Sequence, residues 1–448
     1  MGKYFGTDGV RGVANQELTP ELAYRLGRCS AYVLTEEKKD EDASIVVGRD
    51  PRVSGEMLEA ALVAGILSTG VNVIRLGVIS TPGVAYLTRR LNAQGGAMIS
   101  ASHNPFEDNG IKFFGADGFK LSDEIEANIE QLLDASEDHL PRPTGKEVGR
   151  VSDQPEAVQY YLDHLKSTID IDLCGMHIVV DCANGAASHM APRLLRELGA
   201  DVIAIHNEPD GININVNCGS THPKRLQKEV VQRQAHLGLA FDGDADRLIA
   251  VDEQGNVVNG DQILYICGVD LKEKGQLKEQ KVVATVMSNL GFFKSIESHG
   301  IRTEKAQVGD RYVMQAMLAE GSNLGGEQSG HIIFLDHNTT GDGMVTALQL
   351  LRVVKEKGQT LSGLAKEMVQ YPQILVNVPV KDKEGLNKSQ VIQQKIEQIE
   401  SMLGEEGRVL VRPSGTEQVI RVMAEGPDEE QLKQYVEELS QTVREELS

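Results

Sequence analysis

Short apolar runs alternate with longer amphipathic segments along most of the chain. The runs at 45–47, 178–180 and 282–286 are rich in valine and isoleucine and predict buried strands. In the longer segments, apolar residues return at helical spacing, as at Leu22 and Leu26, and predict helices that bury one face. Strands that alternate with helices in this way predict an α/β fold, in which parallel or mixed sheets lie between helices.

The same pattern divides the chain into four parts. At 448 residues the chain is too long for one hydrophobic core, so several domains are expected. We predict three consecutive α/β domains, at 1–150, 151–256 and 257–370. After Pro372 the strands and helices follow one another differently, and they predict a smaller α+β domain at 371–448.

Composition and charge limit what the chain can bind. The net charge of -21 argues against a general basic surface for nucleic acid. No run of 18 or more apolar residues predicts a membrane span, and the amino-terminal residues show no apolar signal core. The five cysteines are widely spaced without a C-x-x-C pair, which favours free thiols in a reducing compartment. We therefore expect a soluble, cytoplasmic protein whose partner is a small molecule, with no nucleic acid and no membrane.

A serine follows one of the predicted buried strands. The apolar residues 97–99 are followed by polar residues up to Pro105, so a helix is not expected there. We predict that Ser102 and His103 lie on a tight, exposed loop, and that the Asn-Gly pair at 109–110 turns the chain into the next strand. Open α/β sheets bind their ligands at the carboxyl ends of strands, so Ser102 is a candidate functional residue. An ordinary polar turn is the alternative.

Three aspartates alternate after another predicted strand, at Asp242, Asp244 and Asp246. Carboxylates this close repel one another unless a cation neutralises them, and hard divalent cations prefer oxygen ligands. Glu253 would complete the spacing of an EF-hand, but Arg247 stands where that loop needs glycine, and the flanking segments are strand-like. We therefore predict a Mg²⁺ site, with Arg247 beside it to hold an anionic group.

Two later loops combine glycine with polar side chains. Glu327 and Ser329 lie between glycines and offer acceptors and donors spaced for vicinal hydroxyl groups. The loop at 412–416 offers a guanidinium, two hydroxyls and close backbone approach, which suits a phosphate. His103 and His331 could relay protons near neutral pH. For each of these features the alternative is a structural role in a turn.

Signatures of several other enzyme classes are missing from the sequence. It contains no G-x-x-x-x-G-K-[ST] segment, which argues against a P-loop kinase. It also contains neither G-x-S-x-G nor H-E-x-x-H, which argues against the common hydrolases.

Taken together, four loops resemble those of the α-D-phosphohexomutase family. The marks of that family are a serine loop S-H-N-P, a metal loop D-G-D-x-D-R, a sugar loop G-E-x-S-G-H and a phosphate loop R-x-S-x-T. All four occur here in that order, one in each predicted domain, and the resemblance covers the whole chain. It implies four domains around a central active-site cleft, and an enzyme that moves a phosphate between two positions of a hexose.

The resemblance also implies roles for particular residues. The active enzyme would carry a phosphate on Ser102, and that group and the three aspartates would hold one Mg²⁺ per active site. Arg11 and Lys112, together with His103, are candidates for proton handling or charge stabilisation beside the serine. The substrate-binding residues in this interpretation are Arg247, Glu327, Ser329, His331, Arg412, Ser414, Gly415, Thr416 and Arg421.

Within the family, the loops favour the glucosamine branch. Gln328 in the sugar loop and the Gly-Asp-Arg segment at 309–311 distinguish the chain from the mannose and glucose branch. The implied reaction interconverts glucosamine 6-phosphate and glucosamine 1-phosphate through a bisphosphate, for the synthesis of UDP-N-acetylglucosamine and cell-wall precursors. The alternatives are a phosphomannomutase/phosphoglucomutase and a non-catalytic sugar-phosphate binding protein. A homodimer is one open alternative for the assembly.

Overall fold

The computed structural model describes residues 2–35, 42–414 and 418–447. These residues form four β-sheets with helices packed against them, which confirms the predicted α/β class with an α+β part at the carboxyl end. The chain divides into two compact units, Met1–Met287 with Ile301–Lys366, and Ser288–Gly300 with Glu367–Ser448. Among the described residues, no helix has both the length and the apolar character needed to cross a membrane.

The first sheet has six strands with mixed pairing. In chain order its strands are β1 (Val10–Val13), β2 (Ser44–Arg49), β3 (Asn72–Val78), β4 (Gly95–Ile99), β5 (Asp108–Gly115) and β6 (Val151–Asp153). Across the sheet they lie in the order β1-β5-β4-β2-β3-β6, with the pairs that involve β5 antiparallel and the others parallel. The helices of this part are α1 (Pro20–Thr35), α2 (Gly55–Leu67), α3 (Thr81–Arg90) and α4 (Asp123–Asp134). Because β4 is an interior strand, the loop that follows it leaves the middle of the sheet.

Helices α1 and α2 pack together over one apolar core. A Cβ added at Gly27 would lie 2.3 Å from the Leu62 carbonyl oxygen, and one at Gly65 would lie 2.1 Å from the Tyr24 carbonyl oxygen. Only glycine allows backbones to approach this closely. The two glycines therefore explain why these helices can approach each other closely.

The second sheet carries the acidic loop. Its strands are β7 (His177–Asp181), β8 (Asp201–Ile205), β9 (Leu237–Phe241), β10 (Leu248–Asp252) and β11 (Val257–Val258), in the order β11-β10-β9-β7-β8. The helices are α5 (Val158–Ser167), α6 (Ala187–Glu197) and α7 (Lys224–Arg233). Strands β9 and β10 pair antiparallel, so residues 242–247 leave the sheet at the carboxyl end of β9 and return directly beside it.

The third sheet carries the predicted sugar loop. Its strands are β12 (Lys281–Thr285), β13 (Arg302–Ala306), β14 (Leu324–Gly326) and β15 (Ile332–Phe334), in the order β13-β12-β14-β15. The helices along this part of the chain are α8 (Gly260–Glu273), α9 (Leu290–Ser298), α10 (Asp310–Glu320), α11 (Gly343–Lys357) and α12 (Leu361–Lys366). Strands β14 and β15 are antiparallel, and the short loop between them is the predicted sugar loop.

The second unit contains an antiparallel sheet, two helices from the carboxyl end of the chain, and α9. Its strands are β16 (Gln373–Pro379), β17 (Arg408–Pro413) and β18 (Val419–Glu425), in the order β16-β18-β17, and its other helices are α13 (Gln390–Leu403) and α14 (Glu429–Leu447). Glu425 explains why α9 belongs here. Its carboxylate accepts hydrogen bonds from Leu290 N–H at 3.0 Å and from Arg408 Nε at 2.6 Å.

One local prediction in the first part of the chain differs from the structure. Asn109 and Gly110 do not form a turn, because both are paired with β1 inside strand β5. The reversal falls earlier, between Ser102 and Pro105, where the polar loop residues have no strand partner. Strand β6, at the start of the range 151–256, pairs with β3 of the first sheet. The four domain boundaries stay predictions.

Candidate active site

Ser102 lies on the loop after β4 with a left-handed backbone, at a φ of 51°. Its side chain is only 1% exposed, so the prediction of an exposed loop is wrong at this residue. The acidic loop covers it, and a Cβ added at Gly243 would lie 2.5 Å from the Ser102 carbonyl oxygen. Ser102 Oγ donates a hydrogen bond to Asp242 Oδ2 at 2.6 Å, and His103 Nδ1 lies 3.5 Å from the same Oγ. The serine hydroxyl therefore meets the acidic loop directly.

The three aspartates of the acidic loop converge. Asp242, Asp244 and Asp246 are buried, and each offers an oxygen that lies within 4.8 Å of the others. Asp244 Oδ1 and Asp246 Oδ1 are buried and accept no hydrogen bond from the residues that the structure describes. Buried carboxylate oxygens without partners are unfavourable, and a hard divalent cation would supply the missing partner. The group could therefore bind a metal ion, and its donor set fits Mg²⁺.

Burial and neighbouring charges act differently on two of these carboxyl groups. Burial, together with repulsion from Asp246 and Asp244, raises the pKa of Asp242 well above its usual value. Burial also opposes ionisation of Asp244, but Lys112 and the hydroxyl of Thr81 lower the pKa of that carboxyl below its usual value. A bound divalent cation would favour the ionised form of both groups.

Lys112 begins a row of alternating charges inside the first unit. Its Nζ lies 2.8 Å from Asp244 Oδ2 and 3.0 Å from Asp8 Oδ2. Asp8 also pairs with Lys120, and Lys120 pairs with Asp310. Although burial disfavours its charge, Lys112 has its pKa raised far above the usual value by Asp244 and Asp8. The side chain is therefore a fixed cation near neutral pH.

Sequence reasoning missed three residues of this group. Asp8 pairs with Arg11, and although burial opposes its ionisation, the surrounding cations Lys112, Lys120 and Arg11 hold its pKa well below the usual value. Thr81, at the start of α3, donates its hydroxyl to Asp244 Oδ2 at 2.5 Å. A signal existed only for Asp8, which lies in the same glycine-rich segment as Arg11. Lys120 and Thr81 stand in unremarkable local sequence.

His103 and Arg247 lie beside the serine and the acidic loop. Burial, with Arg247 and Arg11 nearby, lowers the pKa of His103 to about 4, so its ring is neutral at neutral pH. The backbone N–H of Arg247 donates to Asp242 Oδ1 at 3.2 Å, and its Nε lies 4.0 Å from Asp246 Oδ1. Arg247 is therefore anchored through its backbone, and its guanidinium lies next to the carboxylates.

The sugar loop places its polar side chains in different surroundings. Glu327 is buried, and its Oε1 accepts a hydrogen bond from Gly309 N–H at 3.0 Å. Ser329 is exposed. The bond between Glu327 and Gly309 connects the loop to the start of α10, where the Gly-Asp-Arg segment lies.

His331 connects the sugar loop to the acidic loop. It is 2% exposed and forms an isolated β-bridge with Arg247. Its Nε2 lies 3.8 Å from Asp310 Oδ2 and 4.0 Å from Asp246 Oδ2. Neither ring nitrogen is hydrogen-bonded to another described residue. Such a buried imidazole is able to bind a ligand group.

The second unit carries the predicted phosphate loop. Arg412 on β17 and Arg421 on β18 stand directly opposite each other in the antiparallel pair. Like charges in such a pair repel, and burial together with Arg421 lowers the pKa of Arg412. Ser414 is buried, and its carbonyl oxygen accepts a hydrogen bond from Lys383 Nζ at 3.0 Å. Two predicted residues of this loop lie outside the described residues: Gly415 and Thr416.

The predicted site residues thus fall into two groups. The first unit brings together, through the contacts above, Arg11, Ser102, His103, Lys112, Asp242, Asp244, Asp246, Arg247 and His331. Glu327 and Ser329 lie on the sugar loop of the same unit. Arg412, Ser414 and Arg421 form a cationic group within the second unit.

Family models match all four parts of the chain. They describe the phosphoglucomutase/phosphomannomutase α/β/α domains I, II and III, at residues 2–139, 159–255 and 259–371, and the C-terminal domain, at residues 375–442. The chain therefore belongs to the phosphoglucomutase/phosphomannomutase family. The four matches follow the order of the four loops along the sequence.

Relatives of similar length carry a more particular name. The chain is 61% identical to the phosphoglucosamine mutase of Geobacillus thermodenitrificans, over 100% of this chain and 99% of that protein. It is 59% identical to the phosphoglucosamine mutase of Brevibacillus brevis, over the full length of both.

Solved structures show the same fold at low sequence identity. A phosphoglucomutase/phosphomannomutase family protein from Burkholderia thailandensis matches with a TM-score of 0.81 at 23% identity, covering 98% of this chain and 96% of that one. The N-acetylphosphoglucosamine mutase of Aspergillus fumigatus, solved with GlcNAc-6P and magnesium, matches with a TM-score of 0.71 at 17% identity, covering 99% and 96%.

Proposed function

We propose that this chain interconverts glucosamine 6-phosphate and glucosamine 1-phosphate, as a phosphoglucosamine mutase does. Such an enzyme is an isomerase that works as an intramolecular phosphotransferase. The observation that carries the proposal is the 2.6 Å contact between Ser102 Oγ and Asp242, inside a buried group of three aspartates. It places a nucleophilic hydroxyl beside a site suited to a cation. The full-length identity of about 60% to phosphoglucosamine mutases supports the choice of sugar.

The proposed reaction proceeds by two phosphoryl transfers. A phosphate carried on Ser102 moves to the free hydroxyl of the sugar: the bond from phosphorus to Ser102 Oγ breaks, a bond to the sugar oxygen forms, and the hydroxyl proton leaves to a base. The resulting glucosamine 1,6-bisphosphate reorients in the site. The bond from its other phosphorus to the sugar oxygen then breaks, a bond to Ser102 Oγ forms, the serine proton leaves to a base, and the sugar oxygen takes up a proton. Mg²⁺ held by the Ser102 phosphate, Asp242, Asp244 and Asp246 would neutralise charge that develops on the moving group.

The cations around the serine have distinct proposed roles. Lys112 and Arg11 stabilise negative charge, because their own charges are fixed and they lie close to the aspartates. His103 is neutral near pH 7 and lies beside Ser102 Oγ, so it is our candidate for accepting a proton from the sugar hydroxyl. Arg247, next to the metal loop, holds an oxygen of the reacting phosphate or of the substrate.

The remaining residues bind the parts of the substrate that do not react. Glu327 and Ser329 hold sugar hydroxyls, and His331 contributes from the same loop. A phosphate-binding group recognises the distal phosphate, and it consists of Arg412, Ser414, Gly415, Thr416 and Arg421. Charge and hydroxyl donors recognise a phosphate at either end of the sugar equally well.

Several wider expectations belong to the same proposal. We propose a cytoplasmic enzyme whose partner is a hexosamine phosphate, with neither nucleic acid nor membrane as a partner. The five cysteines are free thiols, as they are in a reducing compartment. The four domain boundaries, the central cleft and a homodimer also remain part of this proposal.

A turnover assay with three substrates tests the function. Purified chain would be incubated with Mg²⁺ and glucosamine 6-phosphate, mannose 6-phosphate or glucose 6-phosphate, and the 1-phosphates would be followed by phosphorus NMR. We expect the highest kcat/KM with glucosamine 6-phosphate, and intact mass should show one added phosphate that is lost in Ser102→Ala. A higher kcat/KM with mannose 6-phosphate or glucose 6-phosphate would assign the chain to the phosphomannomutase/phosphoglucomutase branch. Binding without turnover by phosphorylated protein would indicate a sugar-phosphate binding protein.

A further inference from the structure

Arg52 is the most completely hydrogen-bonded arginine near the serine loop, and the proposed chemistry does not use it. It follows β2 and is 0% exposed. A guanidinium has five N–H donors, and here each of them has an acceptor. The Nε donor is bound to Asp50 Oδ2 at 2.9 Å. The Nη donors all go to carbonyl oxygens, those of Ser102, Asn104 and Pro105 on the loop after β4 and that of Asp108 at the start of β5.

These contacts hold both sides of Ser102. Arg52 Nη2 donates to the Ser102 carbonyl oxygen at 2.8 Å. On the other side, the Ser102 N–H donates to Ser100 Oγ at 2.9 Å, and Ser100 Oγ donates to Asp50 Oδ2 at 2.6 Å. Asp50 therefore connects Arg52, which binds the Ser102 carbonyl oxygen, to Ser100, which binds the Ser102 N–H. The two peptide groups that flank Ser102 are fixed by one buried network.

Such a network matters because the backbone of Ser102 is strained. A φ of 51° is uncommon for a residue with a side chain, and it persists only where the surroundings impose it. The conformation directs Oγ to Asp242. If the carbonyl oxygen were released, the backbone could relax and Oγ would move away from the carboxylates. A misplacement of about 1 Å can reduce a rate by about 100-fold.

A second side chain, on the segment between β8 and α7, supports two of the same carbonyls. Asn215 Nδ2 donates to the carbonyl oxygens of Ser102 and Asn104 at 2.9 and 3.0 Å. Asn215 itself has a φ of 61°, which its residue type tolerates. The loop is thus held between an arginine that follows β2 and an asparagine that precedes the acidic loop.

We propose that Arg52 is a positioning residue for phosphoryl transfer, which keeps Ser102 Oγ aligned with the metal carboxylates by holding the carbonyls of its loop. The inference rests on the proposed function. Arg52 contacts neither the reacting atoms nor the substrate in this role. Its loss should therefore lower kcat while leaving KM nearly unchanged, because substrate groups are held elsewhere.

The first test compares Arg52→Lys with Arg49→Lys. Lysine keeps the charge of Arg52 but cannot hold four carbonyls in the planar geometry of a guanidinium. We expect kcat to fall by about 100-fold in Arg52→Lys, with KM within about twofold of the wild type. Arg49 lies on the same strand end but pairs with Glu56 and Glu59 instead, so Arg49→Lys should keep the wild-type kcat.

A second pair of variants avoids the risk that a buried arginine is needed for folding. Asn215→Gly removes the amide and tolerates the positive φ, and we expect kcat to fall about tenfold. Asn217→Gly is the matched control, because Asn217 is exposed and has a similar φ of 53°. Its kcat should stay at the wild-type value.

The outcomes separate this inference from the proposed function. Absence of turnover by the phosphorylated wild type would contradict the proposed function. Wild-type turnover together with unchanged kcat in both Arg52→Lys and Asn215→Gly would overturn the positioning role. A change confined to KM would also overturn it, as would equal losses in Asn215→Gly and Asn217→Gly.

Discussion

The Lys112 ammonium lies 2.8 Å from Asp244 Oδ2, and both side chains are buried. It is also 3.6 Å from Asp246 Oδ2, so one fixed positive charge neutralises part of the group that we propose as the metal site. A divalent cation and Lys112 therefore act on the same carboxylates. Removing either should make the other more important for stability.

Lys112→Met tests this relationship. Loss of one partner of a buried ion pair leaves an uncompensated charge, so the free energy of unfolding should fall by about 3 kcal/mol in the absence of metal. Mg²⁺ should restore part of that loss, because the ion neutralises the carboxylates that the lysine leaves behind. Urea unfolding with Mg²⁺ and with a chelator measures both effects.

Lys120→Met is the matched control for that experiment. Lys120 is buried in the same row of charges but pairs with Asp8 and Asp310 rather than with the three aspartates. Lys120→Met should lower the free energy of unfolding, but Mg²⁺ should stabilise this variant no more than it stabilises the wild type. Equal stabilisation of both variants by Mg²⁺ would show that Lys112 and the metal do not share ligands.

Ser102→Ala should fold normally and lose turnover by about 1,000-fold or more, together with the phosphate detected by intact mass. Ser100 is the nearest alternative hydroxyl, but it donates to Asp50 and accepts from Ser102 N–H, away from Asp242. Ser100→Ala should therefore keep the phosphate, although it weakens the support of the loop. Substantial turnover by Ser102→Ala, with turnover abolished in Ser100→Ala, would assign the nucleophile to Ser100.

Asp246→Asn should weaken Mg²⁺ binding by about tenfold or more, because affinity at such sites follows the number of charged ligands. Mg²⁺ raises the melting temperature of any folded state that binds it, so the Mg²⁺ concentration that gives half of the shift reports affinity without an activity assay. Asp201→Asn, at an exposed carboxylate that pairs with His177, is the control. A wild-type concentration dependence in Asp246→Asn would remove this residue from the metal site.

Much of the fold and the position of the reactive loops could be predicted from the sequence. The reason is local: valine- and isoleucine-rich runs mark buried strands, and the polar residues that end them must lie at strand ends. The acidic loop is the clearest example, because three carboxylates in five residues need neutralisation whatever the fold. Ser102 follows from its place at the carboxyl end of a predicted strand.

The features of the site that could not be predicted from the sequence depend on contacts between distant segments of the chain. Asp8 and Asp310 are joined through Lys120, and nothing in any of these segments predicts that they meet. The prediction that Ser102 is exposed was wrong for the same reason, because the residue that covers it, Gly243, is far away in sequence. Local patterns identify which residues can do chemistry, whereas packing decides which neighbours adjust their charge and position.

The final prediction concerns the second unit, where Arg412 and Arg421 stand opposite each other. Two neighbouring guanidiniums repel, and a phosphate between them would relieve the repulsion. Arg412→Ala should therefore weaken substrate binding by on the order of 2–3 kcal/mol without lowering the melting temperature. It should also release more glucosamine 1,6-bisphosphate per turnover, because the intermediate loses a contact while it exchanges its two ends.

Phosphorylation of Ser102 should be unaffected in Arg412→Ala, since the serine and its neighbours remain intact. Arg412→Lys, which keeps the charge but not the paired donors, should give an intermediate KM. Arg444→Ala, at a half-exposed arginine on α14 of the same unit, is the control and should behave as the wild type. KM measurements and phosphorus NMR of the released bisphosphate check these outcomes together. Wild-type KM and undetectable bisphosphate in Arg412→Ala would show that the loop is a surface turn without a role in phosphate binding.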